Sequence, residues 1–400
     1  MKHPNETPLA NRKHIGIFGD TNAGKSMLFN RILGQELAIV SDTHGTTTDP
    51  VTKGMELIPF GPVALIDTAG FGDFSSLGEE RMKKTKQILE RCDYILYAVD
   101  ITAFNDEIIS QTIQMFQKTP YTLVFTKTDL ITDINIRNTL IKKFPNAYFV
   151  NEKEDTSITS LKLHLADELK KMGDEEESMI SGLLKAGDHI IMVVPVDSEA
   201  PKGRLILPQV TLIRNCLDSG VVCTVTKEEQ LEKTLQKISD VSLVVTDSQI
   251  FKTVSKIVPP HIPLTSFSML LARQKGDIKQ MLAACQVIPT LKAGDRILML
   301  EACTHNHTHE DIGRVKIPKL LQNFTGVPLE FEYFVSYDFP SDLSPYKLAI
   351  HCGGCMITKK AMLNRMEKCE EAGLPITNYG VVLAYLSGIS QRVSEVFFHE

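Results

Sequence analysis

The stretch Gly-Asp-Thr-Asn-Ala-Gly-Lys-Ser (19–26) constrains the fold of this chain more than any other. A short β-branched run, HIGIFGD (14–20), leads into it. KSMLFNRILG (25–34) leads out, with Met27, Leu28, Ile32 and Leu33 at helical spacing and Gly34 as the stop. Strand, glycine loop, helix is the setting in which G-x-x-x-x-G-K-[ST] carries a mechanism. Gly19 and Gly24 let the backbone curl so that the N–H groups from Asn22 and Ala23 to Met27 face a phosphate. The helix N-terminus adds positive potential there. Lys25 reaches the outer phosphates, and Ser26 ligates magnesium.

The segments downstream extend the pattern. VALIDTAG (63–70) is a buried strand ending in D-x-x-G. Asp67 would hold the magnesium shell through water, and the Gly70 amide would sense the terminal phosphate. YILYAVD (94–100) is a second buried strand, and TLVFTKTDL (122–130) a third that ends in a base-recognition element. Asp129 can accept both N1–H and the exocyclic amine of guanine, while the stem of Lys127 packs along the base. The ordered set predicts a P-loop domain that hydrolyses GTP to GDP and phosphate as a switch. Two departures stand out. Phe71 follows Gly70, where a water-orienting glutamine would speed hydrolysis, and Thr126 stands where Asn-Lys-x-Asp has asparagine.

Length and charge bound the rest. Four hundred residues exceed one ordinary core and predict two or three domains. The 43 basic and 49 acidic side chains leave a formal charge of −6, which disfavours general nucleic-acid binding. No segment approaches the roughly 20 unbroken apolar residues of a membrane helix, and the first residues lack an apolar signal region. A cytoplasmic protein with reduced thiols is expected, so its eight cysteines do not read as a disulfide framework.

SLKLHLADELKKM (160–172) reads as the helix closing the first domain, and GDEEES (173–178) as a solvated linker. A weak repeat follows. LKAGDHIIMVVPVD begins at Leu184 and LKAGDRILMLEACT at Leu291, each a Gly-Asp turn before a buried strand. The expected architecture is α/β throughout: a P-loop GTPase domain at 1–172, then two smaller α/β domains at 180–270 and 271–400. Nothing in 180–270 has catalytic spacing, which suggests a structural or oligomerising role.

The last domain concentrates metal-binding side chains. LMLEACTHNHTHEDIG (298–313) is a strand running into Cys303, His305, His307 and His309. YKLAIHCGGC (346–355) is a strand running into His351, Cys352 and Cys355. Both groups thus fall at strand C-termini, where an open α/β sheet places its ligands. Three sulfurs and an imidazole satisfy zinc. Three thiolates with one different or exchangeable ligand satisfy an iron–sulfur cluster. Spacing alone does not separate the two.

In its motifs the first domain resembles the TrmE–Era group of translation-factor-like GTPases. Asn22 matches that group's phosphate-loop asparagine, and SDTHGTTTD (41–49) its first switch, with Thr46 and Thr47 in place. The resemblance implies that Thr47 closes on magnesium and that Asn22 helps hold potassium, which supplies charge otherwise given by an arginine finger. With Lys25 and Gly70, Thr47 forms the implied catalytic set.

The whole pattern, Cys-x-His, 45 residues, then His-Cys-x-x-Cys, resembles the HydF family, maturation GTPases of iron–iron hydrogenases. This resemblance implies a 4Fe–4S cluster on Cys303, Cys352 and Cys355, with an exchangeable fourth ligand. His305, His351 and Glu310 are within reach of that role or of hydrogen bonding around the cluster. It further implies a homodimeric scaffold that takes a di-iron precursor from radical-SAM maturases and delivers it to apo-hydrogenase. The alternatives are a zinc-containing regulatory GTPase acting in ribosome or RNA assembly, and a redox enzyme using the cluster for electron transfer.

Overall fold

A computed structural model describes residues 7–34, 51–68, 85–116, 118–131, 133–151, 153–173, 178–195, 205–302 and 311–398. The chain divides into two compact units, Met1–Glu175 and Glu176–Glu400. Among the described residues no helix is long and apolar enough to cross a membrane.

The first unit is built on a six-stranded sheet. Its strands are β1 (Lys13–Gly19), β2 (Val51–Leu57), β3 (Gly61–Asp67), β4 (Tyr94–Asp100), β5 (Tyr121–Thr126) and β6 (Tyr148–Phe149). They lie in the order β2-β3-β1-β4-β5-β6, with only β2 antiparallel to its neighbour. β1 and β4 read as near-continuous apolar runs because central parallel strands are covered on both faces. β2 was not legible: VTKGMEL is mostly exposed on the sheet edge and carries little apolar signal. Helices α1 (Lys25–Leu33), α2 (Asp106–Met115), α3 (Ile134–Lys143) and α4 (Asp155–Lys171) belong to this unit. On α4, Ile158, Leu161, Leu165 and Leu169 form the buried stripe that packs with α1 and β1 residues.

The second unit holds two four-stranded parallel sheets. One is β7 (His189–Val193), β8 (Val222–Thr226), β9 (Val241–Thr246) and β10 (Leu264–Ser266), in the order β10-β9-β7-β8. The other is β11 (Arg296–Glu301), β12 (Glu330–Val335), β13 (Tyr346–His351) and β14 (Ile376–Asn378), in the order β12-β11-β13-β14. Read from the other edge, the second order is the first one again: fourth, third, first, second strand.

The likeness extends to single hydrogen bonds. Asp188 Oδ2 accepts from Lys185 N at 2.9 Å, and Asp295 Oδ2 from Lys292 N at 2.7 Å. Gly187 N donates to Gly220 O, and Gly294 N to Pro328 O. The ladder shifts register between His189 and Ile190, and again between Arg296 and Ile297. Ser266 caps the helix after β10 by accepting from Met269 N, as Asn378 does after β14 from Val381 N. The repeat of Gly-Asp turns is thus the visible trace of two half-units with one topology.

These halves, 180–270 and 271–400 in the sequence reading, share one hydrophobic core running from Met179 to Phe397. Helix α5 (Leu207–Asp218) packs against α6 (Phe267–Lys275), which in turn contacts α8 (Lys359–Glu371) and α9 (Tyr379–Leu386). Helix α7 (Ile317–Thr325) also packs on α9. Asn378 Nδ2 donates to Ser268 O across the two halves.

Candidate functional site

Two chemically distinct sites stand on these sheets. The first surrounds the loop between β1 and α1. Gly24 caps α1 in the left-handed region at φ +79°, and a Cβ there would also crowd the Thr126 side chain at 3.3 Å. Asn22 shares that backbone region at φ 64°. Lys25, 6% exposed, donates from Nζ to Gly19 O at 2.8 Å and Asp20 O at 2.7 Å. Ser26 Oγ donates to Asp67 Oδ2 at 3.1 Å. The hydroxyl and carboxylate expected around magnesium therefore meet, although 41 residues separate them. Ala23 is buried, while Met27 lies half-buried on the first turn of α1.

Thr126 has a role that the asparagine pattern concealed. Fully buried, its Oγ1 lies 2.9 Å from Ala23 O and 3.2 Å from Val99 O. It thus ties the phosphate loop to the end of β4. Lys127 sits at φ 55°, and its Nζ pairs with Asp100 Oδ2 at 2.6 Å. Burial pushes the Asp100 carboxyl up, but hydrogen bonds from Lys127 and Thr102 outweigh it and leave the pKa below the ordinary value. Asp129 Oδ2 meets Lys153 Nζ at 3.0 Å. Lys153 lies in VNEKED (150–155), directly after β6. Its lysine was the usable signal. Thr46, Thr47, Gly70 and Phe71 lie outside the described residues.

The second site is the turn after β13. His351 ends that strand, fully buried, with Cys352 and Cys355 half-buried behind it. Gly354 takes φ +68°, and a Cβ there would meet Met362 Cε at 2.5 Å. Cys352 N donates to Leu300 O on β11, and Ala302 N donates to Cys352 Sγ at 3.1 Å. A backbone N–H aimed at sulfur favours a thiolate ligand and tunes whatever it binds. Cys303, His305 and Glu310 lie outside the described residues, with His307 and His309. Among the described residues no three His, Cys, Asp or Glu side chains form a metal cage.

The His351 ring is committed on both sides. Nε2 lies 2.7 Å from Arg365 Nη1, and Nδ1 lies 2.7 Å from Cys352 O. A guanidinium can only donate, so Nε2 accepts and the proton sits on Nδ1, facing the carbonyl. A ring so held offers no lone pair to a metal. In this arrangement the ring makes hydrogen bonds to the Arg365 guanidinium and the Cys352 carbonyl.

Four neighbours were not singled out from sequence. Arg365, 5% exposed on α8, shares the buried stripe Met362, Arg365, Met366, Cys369. An arginine at core spacing was the available signal. Burial draws its pKa below the ordinary value, and the Cys352 thiol nearby acts in the opposite sense. Lys275, on α6, donates to Gly354 O and Ile357 O and holds the far end of the turn. Glu301, at the end of β11, pairs with Arg314 at 2.9 Å. The Tyr379 hydroxyl is buried without a hydrogen-bond partner among the described residues. Burial lifts its pKa far above the ordinary value, with Cys352 and Glu301 adding to the effect.

Comparison with known proteins follows this division. Residues 14–127 match a family described as 50S ribosome-binding GTPase, 179–276 the hydrogen maturase F dimerization domain, and 279–396 the hydrogen maturase F tetramerization domain. The tRNA modification GTPase MnmE of Mesoplasma florum is 34% identical over 157 residues, 38% of this chain and 34% of that protein. GTPase Der of Nitratiruptor is 42% identical over 106 residues, 26% of this chain and 23% of the relative. The chain thus spans about a third or less of the length of these relatives. The FeoB G-domain of Methanococcus jannaschii is 21% identical, covering 40% of this chain and 98% of that one, with a TM-score of 0.33. The first unit is a P-loop GTPase domain.

Proposed function

The chain belongs to the hydrogen maturase F family, and from that premise we propose that it is a GTP-hydrolysing scaffold and carrier for assembly of the iron–iron hydrogenase centre. It takes a di-iron precursor from radical-SAM maturases and hands it to apo-hydrogenase. Cys303, Cys352 and Cys355 would hold a 4Fe–4S cluster, which would supply an iron with an exchangeable position. With both His351 nitrogens engaged, His305 and Glu310 remain as candidates for that position.

The observation that carries this reading is the loop at 351–355. Two half-buried thiols stand at a strand end, one already receiving a backbone N–H, in a chain whose first unit aligns Lys25, Ser26 and Asp67 for a magnesium nucleotide. Lys25 neutralises phosphate charge, Ser26 and Asp67 arrange the magnesium shell, and Asp129 selects guanine. Thr47 would close on magnesium, the Gly70 amide would read the terminal phosphate, and Asn22 would help hold potassium, whose charge would serve in place of an arginine finger. Nucleotide turnover times partner exchange and makes no bond in the cargo.

Two copies pair through the first half of the second unit. Edge strand β8 exposes Val222 and Val225, and Leu217 beside it is 68% exposed. An apolar edge of this kind is a template for strand addition by a second copy.

A zinc-containing GTPase of ribosome or RNA assembly remains the second reading, because the matches of the first unit include a tRNA modification GTPase. Anaerobic reconstitution with ferrous iron and sulfide separates the two. The carrier reading expects cluster absorbance and a paramagnetic reduced state, both lost in Cys352→Ser while GTP hydrolysis persists. A colourless protein with stoichiometric zinc after anaerobic purification overturns it.

A further inference from the structure

Three charged side chains of the second unit are buried among its described residues: Lys275, Glu301 and Arg365. All three converge on the strand ends of the second half. Glu301 has Arg314, and Lys275 spans the carbonyls of Gly354 and Ile357. Arg365 differs in what it meets. Its Nη1 donates to the neutral ring of His351, and its Nη2 to Ser336 O at 2.5 Å and Asp338 O at 3.4 Å. Among the described residues no carboxylate is in ion-pair contact with it. A buried charge without a counter-ion is costly to maintain.

The fold does not require this arrangement. In the first half, with the same topology, Thr246 occupies the place of His351 and Asp247 that of Cys352. Among the described residues no buried guanidinium stands behind them there. Among the described residues, a buried arginine paired with a buried histidine stands at the strand end that carries the two cysteines.

We infer that Arg365 is the built-in counter-cation of the cysteine loop, a positioning residue that acts through His351 and offsets the negative charge of Cys352 and Cys355 when they bind iron as thiolates. The inference rests on the cluster reading above. Three thiolates outweigh the charge of an oxidised 4Fe–4S core, and an added electron makes the site more negative still. A buried cation therefore favours the reduced state and raises the reduction potential. Through His351 it also fixes the Cys352 carbonyl, and through Ser336 and Asp338 it ties the end of β12 to that of β13.

The test uses the full chain, reconstituted anaerobically with ferrous iron and sulfide, with Arg365→Gln and Arg365→Lys beside the wild type. Midpoints come from redox titration followed by electron paramagnetic resonance. Arg365→Gln is expected to move the midpoint at least 59 mV more negative, a tenfold change in the one-electron equilibrium. It should also lose iron to a chelator faster. Arg365→Lys keeps the charge but loses the planar fork, so its midpoint should stay with the wild type while iron loss quickens. A wild-type midpoint in Arg365→Gln overturns the inference. So does a tenfold change in Arg365→Lys, whether or not the glutamine variant folds, because it assigns the effect to shape and not charge. A wild-type protein that takes up no cluster overturns both this inference and the reading beneath it.

Discussion

The two halves of the second unit carry one topology and two chemistries. Both begin with a Gly-Asp turn and a central buried strand, and both shift register at the first residue of that strand. At the end of the third strand they part. The first half places Thr246 and Asp247 there, and the second His351 and Cys352. The backbone pairing is the same, so the difference lies in side chains grafted onto strand ends. Supporting charges came with them, Arg365 from α8 and Lys275 from the helix that joins the halves. The outer edges differ as well. β8 presents exposed valines, whereas β12 begins with Glu330, held to Arg296 at 2.9 Å.

Variants at matched places test how deep that comparison runs. The largest effect is expected at the edges. Val222→Lys with Val225→Lys puts two charges on β8 and should convert dimer to monomer, read as a halved mass by light scattering. Glu330→Ala on β12 should leave the mass unchanged. A dimer that survives the lysines would remove the first half's claim to the interface.

The next effect is at the third strand end. His351→Ala opens a cavity and leaves the Arg365 guanidinium without its ring acceptor, and should cost about 3 kcal/mol in urea unfolding. Thr246→Val, at the equivalent place, should be neutral or stabilise by a few tenths of a kcal/mol, because Thr246 Oγ1 is buried with no hydrogen-bond partner among the described residues. Equal losses at the two positions would mean that the halves are built alike there after all.

The smallest effect is on the fourth strands. Thr377 Oγ1 meets Cys285 Sγ at 3.4 Å, so Thr377→Val should cost under about 1 kcal/mol. Thr265 Oγ1 is buried and has no partner among the described residues, so Thr265→Val should cost nothing. Unfolding midpoints of the pair decide it.

The P-loop was readable because its glycines, lysine and serine lie within eight residues and have one physical use. The repeat was readable in outline because LKAGD fixes a turn by local hydrogen bonds, Asp188 to Lys185 and Asp295 to Lys292. The cysteine loop was readable as a ligand candidate because two sulfurs three positions apart can reach one centre. Lys153 and Arg365 left only a faint trace, a lysine just after β6 and an arginine at core spacing. Neither carries a motif, and each earns its place by meeting a residue distant in sequence, Asp129 or His351.

Local chemistry in the sequence therefore marked most of the buried strands and helices, the glycine loop and the residues that could bind a metal. Tertiary structure alone decided that the two Gly-Asp strands head matching sheets on one shared core. It also decided that Thr126 braces the phosphate loop and that the His351 ring is held from both sides. The reason is physical. Turns and periodicity depend on neighbours a few residues apart, whereas the protonation and hydrogen bonding of a buried group depend on whatever the fold brings against it.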